Sequence, residues 1–433
     1  MSPTNDPPAR LRSAPGEGAS LAEWLTYLES IHPTDIDLGL DRVLLVYRRL
    51  FRRNPRARIV TVGGTNGKGS AVVALEHLLG RAGRRTGTYT SPHLQRYNER
   101  VRIDGKDVSD DTLVRAFEAV EAVRGPVSLT YFEFGTLAAF LVFNEAGVDD
   151  WVLEVGLGGR LDAVNILDSD LAIITSVDID HVAFLGNDVE TIGFEKAGIL
   201  RPDRPAIFAD VNPPLSVLQQ ARAQNIQLLR PGMGYRLLDS AEPGANTTLV
   251  IDGDPAQIAL PSVGLPVNSL AAAAVAVRQL EPNLAIGEIE RVLAGLALPG
   301  RFERLQEIPQ IIVDVGHNPH AARWLSSRLS RIRRPGQRLI AVYGALGDKD
   351  VEGVIAAMSD QVDLWFPAAL EVPRGLGCRE LCARMALPET AVAGCSRSVR
   401  DAVLAALAEA DDNDVLIIFG SFFTVAAARE VLL

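Results

Sequence analysis

Cysteine is scarce in this chain of 433 residues and lies late in the sequence. Cys378, Cys382 and Cys395 are too few and too close together for a disulfide framework. This scarcity excludes the class of small secreted scaffolds that disulfides hold together. We expect the three cysteines to be unpaired thiols in a reducing compartment.

Long apolar runs are also missing. The stretch at residues 137–143 is followed at once by Asn144, and no segment reaches the ~18 uninterrupted apolar residues of a membrane-spanning helix. Residues 1–20 are rich in proline, serine, glycine and arginine and lack the apolar segment of a signal peptide. We therefore expect a soluble protein that begins with a disordered lead-in.

Lysine is rare among the 43 basic residues, with only Lys68, Lys106, Lys196 and Lys349. A chain so rich in arginine keeps lysine mainly where a compact, titratable ammonium group cannot be replaced by a planar guanidinium. The base composition of the gene could produce the same bias. The four positions are therefore weak pointers to function on their own.

Acidic residues outnumber basic ones, which gives a formal net charge of −11 and a pI near 5.2. This balance disfavours diffuse attraction to nucleic-acid phosphate or anionic lipid, but it does not exclude local basic pockets. Hydrophobic residues make up 47% of the chain, which supplies enough apolar surface for a core and excludes disorder throughout. At roughly 150 residues per domain the length predicts two or three domains.

Strand-like and helix-like segments alternate, which predicts an α/β fold with a mostly parallel sheet covered on both faces. The apolar strand candidates of the first part lie at residues 59–62, 151–155, 171–177 and 206–209. Residues 235–260 carry turn signals instead and predict a small antiparallel addition. A candidate hinge at residues 299–302 divides a large domain at 21–298 from a smaller Rossmann-like domain at 299–433.

A glycine-rich segment, GGTNGKGS at residues 63–70, joins a short β-branched strand to a helix-like stretch. Backbone N–H groups in such a loop converge on phosphate, the helix dipole adds positive potential, and Lys68 can neutralise phosphate oxygens. The spacing differs from the standard phosphate loop because Gly69 separates Lys68 from Ser70. The placement favours a P-loop-type ATPase domain, and a glycine-rich turn without a ligand is the alternative.

Polar side chains follow neighbouring strands. Glu154 stands at the end of one buried strand, and His181 follows the next. Because the carboxyl ends of parallel strands meet at one edge of a sheet, we expect both near the Ser91 hydroxyl, in an oxygen-rich site suited to Mg²⁺. Taken alone, each of these residues is more often a strand-end polar group whose hydrogen bonds are satisfied within the protein. For Glu154, an ion pair with Arg160 is the alternative to a metal.

Lys196, in the segment EKAG, has the wrong charge for a neighbour of a divalent cation, so a simple salt bridge or a surface position on a helix is one interpretation. After reaction with carbon dioxide its side chain would be a carboxylate and a competent metal ligand. In the second domain Asp314 and His317 stand at a strand end and Arg301 lies at the hinge, where two domains could close on a nucleotide. A plain turn at Asn318 is the alternative.

These motifs resemble the folylpolyglutamate synthase and dihydrofolate synthase enzymes of the Mur ligase superfamily. The segments that carry the resemblance are GTNGKGS at 64–70, TSPHLQRYNERVRIDG at 90–105, LTYFEFGTLAAF at 129–140, EVGLGGRLDAVN at 154–165, DHVAFLG at 180–186, EKAGI at 195–199, PGRFE at 299–303, DVGHNPHA at 314–321 and GDKD at 347–350. Departures are Val182-Ala183-Phe184, where the family often has a hydroxyl and a tryptophan, and Gly316, where alanine is common.

The resemblance implies roles for individual residues. The implied ATP contacts are Thr65, Asn66, Gly67, Lys68, Gly69, Ser70, Asn268, Arg301 and Asp314. The implied Mg²⁺ ligands are Ser91, Glu154 and His181. The implied contacts to the pterin substrate are Thr130, Tyr131, Phe132, Glu133, Leu161, Asp162 and Ala163. Lys196 matches a carbamylated lysine, and His317 would contact the phosphates or the incoming amino acid; with Lys68 they form the implied catalytic set.

The implied activity is an ATP-dependent amide ligase. It adds L-glutamate to dihydropteroate, and to the γ-carboxyl of tetrahydrofolate polyglutamates, through an acyl phosphate, and releases ADP and phosphate. ATP, Mg²⁺ and often K⁺ are the implied cofactors of a cytoplasmic monomer that binds small-molecule substrates and neither nucleic acid nor membrane. Residues 21–298 would bind ATP and folate, and residues 299–433 would be the glutamate-ligase domain. Two alternatives are a Mur-type ligase with another carboxylate acceptor and a non-catalytic binding protein that ATP switches between states.

Overall fold

A computed structural model describes residues 13–239, 246–262 and 264–433 of the chain. Residues 1–12 of the predicted lead-in and the predicted turn residues 242–245 lie outside this description. Ser20 caps the first helix, because its hydroxyl accepts a hydrogen bond from the Glu23 amide while the Glu23 carboxylate accepts one from the Ser20 N–H at 2.8 Å. The first helix therefore begins at a capping box.

The elements before residue 298 build a large sheet with helices on both faces. Its helices are α1 (Leu21–Leu28), α2 (Asp41–Leu50), α3 (Lys68–Arg81), α4 (Asp110–Arg124), α5 (Tyr131–Ala146), α6 (Val182–Leu185), α7 (Val189–Ala197), α8 (Leu215–Ala223), α9 (Val267–Leu280) and α10 (Ile286–Ala294). Its strands are β1 (Arg58–Gly63), β2 (Thr86–Tyr89), β3 (Val101–Ile103), β4 (Lys106–Asp107), β5 (Asp150–Glu154), β6 (Leu171–Ile174), β7 (Ala206–Phe208), β8 (Leu228–Pro231), β9 (Gly234–Leu238), β10 (Thr247–Ile251) and β11 (Gln257–Leu260). Short 3₁₀ turns lie at Tyr97–Arg100 and Ala163–Ile166.

Strand β1 lies in the middle of this sheet, parallel to β5 on one side and to β6 on the other. Among the described residues the strand order is β11-β10-β9-β8-β7-β6-β1-β5-β2-β3-β4. The register pairs Val62 with Glu154 and Gly63 with Ile174. Because β1, β5, β6 and β2 run in one direction, their carboxyl ends open at the same edge, where α3 begins. The predicted mostly parallel sheet is confirmed.

Two apolar layers cover this sheet. Val60 and Val62 of β1 pack with α3 and α9 on one face, whereas Ile59 packs with α5 and its neighbours on the other. Strands β9, β10 and β11 pair antiparallel at the far edge, as the turn signals predict. Both layers hold β1 rigidly, so the loop that follows it is anchored at its start.

The elements after residue 300 form a second sheet. Its helices are α11 (Pro319–Ile332), α12 (Val351–Met358), α13 (Cys378–Met385), α14 (Val399–Glu409) and α15 (Phe422–Leu432), with a 3₁₀ turn at Glu389–Ala391. Its strands are β12 (Glu303–Glu307), β13 (Gln310–Asp314), β14 (Leu339–Tyr343), β15 (Leu364–Pro367) and β16 (Val415–Phe419). Among the described residues the order of this second sheet is β12-β13-β16-β14-β15, and β12 is the one strand of this sheet that pairs antiparallel. Asp314 therefore ends a buried parallel strand, as predicted.

Aromatic packing forms the core on one face of the second sheet. The rings of Tyr343, Trp365 and Phe419 lie with centroids 5.0 to 6.2 Å apart.

In the part of the chain that is described, no helix has the length and apolar character to cross a membrane.

The expectation of three unpaired thiols is wrong for two of them. Cys378 and Cys395 form a disulfide, with their Cα atoms 5.6 Å apart. The segment at residues 392–396, which contains Cys395, runs beside β15 and the residue after it, through bridges of Val392 to Trp365 and Ser396 to Ala368. This pairing brings Cys395 to the start of α13. The sequence spacing gave no sign of that pairing. Cys382 is the cysteine that keeps a thiol.

Candidate active site

A cavity of about 390 Å³ lies at the carboxyl ends of the first sheet and is closed on its other side by residues after the hinge. It brings together the predicted nucleotide, metal and catalytic residues. Those that line it are Thr65, Asn66, Gly67, Lys68, Gly69, Ser70, Ser91, Glu154, His181, Lys196, Asn268, Arg301, Asp314 and His317. The cavity thus lies at the edge of the sheet to which the strand-end argument assigns the site, and the roles of these residues stay predictions.

The loop between β1 and α3 has a conformation that needs its glycines. Gly64 has φ 146°, and a Cβ there would overlap the Thr175 hydroxyl; Gly67, at φ 82°, precedes the first residue of α3. The Lys68 ammonium donates to the carbonyl of Gly64 at 3.1 Å, which holds its charge over the loop. The Ser70 hydroxyl is buried and has no hydrogen-bond partner among the described residues. Such an orphaned hydroxyl at a helix N-terminus fits a phosphate or its metal ion.

Glu154 is the carboxylate of the predicted metal site. It is 5% exposed, and its Oε2 accepts a hydrogen bond from the Ser91 N–H at 3.4 Å. Burial raises its pKa, against the lowering effect of the Lys68 and Arg301 charges. Arg160, the alternative partner, forms its ion pair with Glu195 at 2.8 Å instead. Glu154 is therefore left to face the cavity.

His181 supplies an imidazole to the same cavity. Burial lowers its pKa to about 4, so the ring is neutral at pH 7 and able to bind a metal. Across residues 13–239, 246–262 and 264–433, no group of three or more His, Cys, Asp and Glu side chains could hold a metal ion by itself. One carboxylate, one imidazole and nearby hydroxyls instead make an incomplete donor set, which fits a Mg²⁺ ion that also binds phosphate oxygens.

Lys196 lies at the end of α7 and is 3% exposed, so the surface interpretation of this lysine is wrong. Burial, and then the nearby charge of Lys68, lower its pKa to about 7, although Asp180 and Asp162 oppose the shift. A substantial fraction of this lysine is therefore a neutral amine near pH 7. A neutral amine is the form that reacts with carbon dioxide.

Arg301, within the candidate hinge segment, and Asp314, at the end of β13, both line the cavity. Asp314 Oδ2 accepts a hydrogen bond from the Phe302 N–H at 2.8 Å and Oδ1 accepts one from the Gly316 N–H at 2.7 Å, which fixes the carboxylate. The Arg301 guanidinium lies 4.8 Å from the centroid of the Phe422 ring. Burial lowers the pKa of Arg301 and raises that of Asp314.

Asp180 joins the two parts of the chain. Its carboxylate accepts hydrogen bonds from the Lys349 ammonium at 2.7 Å and from the Asn318 amide at 3.0 Å, and the His317 Nε2 lies 3.6 Å away. Burial opposes ionisation, but His317 and Lys349 together hold the pKa of Asp180 far below its ordinary range. Sequence reasoning assigned no role to this carboxylate. Its signals were its place beside His181 and the rarity of lysine.

A second contact joins the phosphate loop to the same part of the molecule. The amide of Asn66 donates to Asn318 Oδ1 at 3.1 Å, and the amide of Asn318 donates to Asn66 Oδ1 at 3.0 Å. His320 Nδ1 lies 2.8 Å from the Asn66 amide nitrogen. The loop that is predicted to hold phosphate is therefore bound directly to the start of α11.

The residues predicted to bind the pterin substrate do not line this cavity. Thr130 and Glu133 form the capping box of α5, and the Asp162 carboxylate accepts hydrogen bonds from the N–H groups of Leu157 and Val164. Phe132 packs 5.7 Å from the Tyr89 ring. The remaining predicted residues on these two segments are Tyr131, Leu161 and Ala163. Their substrate contacts stay a prediction.

Comparisons with known proteins agree with this geometry. The family described as "Mur ligase, glutamate ligase domain" matches residues 300–422, the part of the chain that faces the glycine-rich loop across the cavity. The dihydrofolate synthase/folylpolyglutamate synthase of Escherichia coli (strain K12) is 41% identical over 426 residues, which cover 98% of each chain. The chain belongs to the dihydrofolate synthase/folylpolyglutamate synthase family.

Solved structures show the same relationship. The Escherichia coli enzyme in complex with DHPP and ADP has a TM-score of 0.91 at 40% identity and covers 96% of this chain and 98% of that chain. A bifunctional folylpolyglutamate synthase/dihydrofolate synthase with Mn, AMPPNP and L-glutamate bound has a TM-score of 0.89 at 42% identity and covers 97% of this chain and 100% of that chain. The likeness therefore includes both parts of the molecule.

Proposed function

We propose that this chain is an ATP-dependent ligase that joins L-glutamate to dihydropteroate, and to the γ-carboxyl of tetrahydrofolate polyglutamates, with release of ADP and phosphate. The observation that carries the proposal is the cavity that Lys68 and Glu154 share with Arg301 and His317. It combines a phosphate loop, a candidate metal site and groups from beyond the hinge. The relatives that bind nucleotide, glutamate or DHPP support the same reaction.

The reaction needs an activated acyl group, because a carboxylate at pH 7 has a poor leaving group. The acceptor carboxylate attacks the γ-phosphorus of ATP, and the bond between the γ-phosphorus and the β-bridging oxygen breaks. The products of this step are an acyl phosphate and ADP. The glutamate amine then attacks the acyl carbon, loses a proton, and phosphate departs from the tetrahedral intermediate. Phosphoryl transfer depends on positioning and charge neutralisation, which Lys68 supplies over the loop.

Glu154, His181 and Ser91 would hold the divalent ion. When bound, that ion neutralises charge on the phosphate oxygens. Lys196 carries no compatible charge as an ammonium, and as a carbamate it would add a carboxylate to this set. K⁺ is a further prediction from the resemblance alone.

The remaining residues of the cavity have positions suited to nucleotide. Thr65 to Ser70 would surround the phosphates, while Asn268, Arg301 and Asp314 would contact the rest of ATP. His317 donates through Nδ1 to the Val315 carbonyl at 2.9 Å. Its Nε2 lies 3.6 Å from the Asp180 carboxylate, and phosphate or the incoming glutamate would have to share this nitrogen with Asp180. The segments at residues 130–133 and 161–163 would bind the pterin from behind the cavity.

We further propose a division of labour at residue 299, with residues 21–298 for ATP and folate and residues 299–433 for glutamate ligation. The enzyme would work as a cytoplasmic monomer. Sedimentation velocity of the purified chain tests the oligomeric state: a single species near the 46.6 kDa of one chain supports the monomer, and a larger species contradicts it.

The decisive assay measures ADP formation with dihydropteroate or tetrahydrofolate, with and without L-glutamate. We expect sustained ADP release only when acceptor and glutamate are both present. ADP release that does not depend on glutamate with either acceptor would refute the proposed ligase function and would favour a binding protein switched by ATP. A uridine-nucleotide peptide as the acceptor tests the alternative of a cell-wall ligase, and we expect no turnover with it.

A further inference from the structure

Arg100 is a buried cation at the end of the 3₁₀ turn Tyr97–Arg100, and it is 8% exposed. Its Nε donates to His93 Nδ1 at 2.9 Å. Its guanidinium carbon lies 5.3 Å from the centroid of the Tyr97 ring and 5.5 Å from that of the Tyr131 ring. The immediate surroundings of this charge are therefore an imidazole and aromatic rings.

No aspartate or glutamate in the described part of the chain forms an ion pair with Arg100, whereas other arginines that border the same sheet are paired. Arg102, two residues later, lies 3.0 Å from Glu76. Arg58 and Arg84 share the fully buried Asp150. A buried charge without a counter-ion costs free energy unless a ligand supplies the opposite charge.

His93 does not supply that charge. Because His93 Nδ1 accepts the hydrogen bond from Arg100 Nε at 2.9 Å, that nitrogen carries no proton and the imidazole is neutral. The tyrosine rings attract the cation through their π faces but carry no net charge. The cluster therefore holds a buried positive charge that has no carboxylate within ion-pair distance among the described residues, and the Glu154 charge acts on it only from further away.

The position of this charge connects two parts of the proposed site. The Arg100 carbonyl accepts a hydrogen bond from the Thr90 N–H at 2.9 Å, and Ser91 follows directly. On its other side Arg100 contacts Tyr131, which lies in the segment predicted to bind the pterin. An anion held here would lie between that segment and Glu154, whose ionisation the Arg100 charge also favours.

We infer that Arg100 binds the carboxylate of the acceptor and holds it for attack on the γ-phosphate. The inference rests on the proposed ligase function and names the residue that recognises the reacting group. A carboxylate that approaches ATP is repelled by the phosphate charges, and a guanidinium beside it offsets that repulsion while its planar N–H groups fix the two oxygens. The aromatic rings around Arg100 would contact the flat part of the acceptor.

The first test compares dihydropteroate with its carboxamide, which keeps the shape and removes the charge. The unmodified protein is expected to bind the acid at least tenfold more tightly than the amide in a titration without ATP. Arg100→Met should bind both equally and raise the KM for the acceptor by roughly 30-fold or more, with the KM for ATP within twofold. Equal binding of acid and amide by the unmodified protein would overturn the inference.

Arg96→Met is the matched control, because Arg96 lies on the same loop but is 68% exposed and pairs with Asp110 at 3.2 Å. It should leave acid binding and the KM values unchanged. Arg100→Met removes a buried charge that has no ion-pair partner among the described residues, together with its hydrogen bond to His93 and its contacts with two tyrosine rings, so its melting temperature should change little. Should it fail to fold, Arg100→Lys keeps the charge and should still prefer acid over amide, and loss of that preference contradicts carboxylate binding.

Running the KM measurement with both acceptors separates the two sources of carboxylate. A rise with dihydropteroate assigns Arg100 to its benzoate-type carboxylate, and a rise with tetrahydrofolate assigns it to the glutamyl γ-carboxyl. An unchanged acceptor KM for both, in an enzyme whose ADP release still depends on glutamate, refutes the role of Arg100 and leaves the ligase function intact. If the unmodified enzyme shows no glutamate-dependent ADP release, the ligase function itself fails.

Discussion

Replacing Lys196 with methionine removes an amine from the interior while keeping its apolar stem. The pKa of this lysine falls from an ordinary 10.5 to about 7, mainly through burial. The difference corresponds to about 5 kcal/mol of free energy against the buried ammonium. At pH 7.5 roughly three-quarters of such a lysine is neutral, against about one part in a thousand for an exposed one. The site therefore prepares an amine for carbamylation.

The sign of the pH effect follows from proton counting. Between about pH 7 and pH 10.5 the unfolded chain binds the Lys196 proton and the folded chain does not, so the free energy of unfolding rises with pH across this window. In buffer free of carbon dioxide, Lys196→Met should be more stable than the unmodified protein at pH 7, by up to about 5 kcal/mol. The gap should shrink by pH 9.5. Urea unfolding of both proteins at several pH values measures it.

Activity supplies the second readout. With bicarbonate present, Lys196→Ala should lose most of its glutamate-dependent ADP release, and short carboxylic acids should restore part of it by occupying the space of the carbamate. A ¹³C-bicarbonate label should give a carbamate signal in the unmodified protein and none in Lys196→Ala. Full activity of Lys196→Ala, or a stability gap that does not vary with pH, would refute the reasoning.

Other predictions concern single contacts. Lys68→Ala should abolish ADP release while the melting temperature changes little, since Lys68 donates only to loop carbonyls; residual turnover above about 1% would contradict its role. Lys349→Met leaves Asp180 without its cation, and we expect kcat/KM to fall at least 100-fold and small-angle scattering to show a more open molecule, with unchanged values as the contrary result. Trp365→Ala should cost about 3–5 kcal/mol in urea unfolding, and under 1 kcal/mol would refute its place in the core.

Local pattern was sufficient to predict the parallel sheet and the edge where its site lies. Glu154 and His181 follow consecutive apolar segments of the sequence, and parallel strands must end at one edge, so their approach needed no knowledge of distant residues. The same logic located Asp314 at the end of β13. Loop conformation was readable as well, because Gly64 and Gly67 have backbone angles that favour glycine.

Contacts between distant segments could not be predicted in this way. The pairs Asp180 with Lys349 and Asn66 with Asn318 depend on how the elements of the two sheets meet, and no periodicity encodes that placement. That no carboxylate of the described residues lies within ion-pair distance of Arg100 is likewise visible only when its neighbours in the fold are known. The disulfide could not be predicted from the spacing of the cysteines. The two sulfur atoms meet because the segment around Cys395 pairs with the β15 region.

The convergence of groups on Asp180 affects how ATP enters and ADP leaves. Lys349, Asn318 and His317 all meet one carboxylate, so separating the two units must release them together and expose that charge to water at the same moment. Partial opening would leave a buried anion with half its partners, which is the most costly arrangement. The cleft should therefore behave as a two-position switch. Nucleotide exchange would then occur in discrete opening events, whose frequency sets an upper limit on turnover.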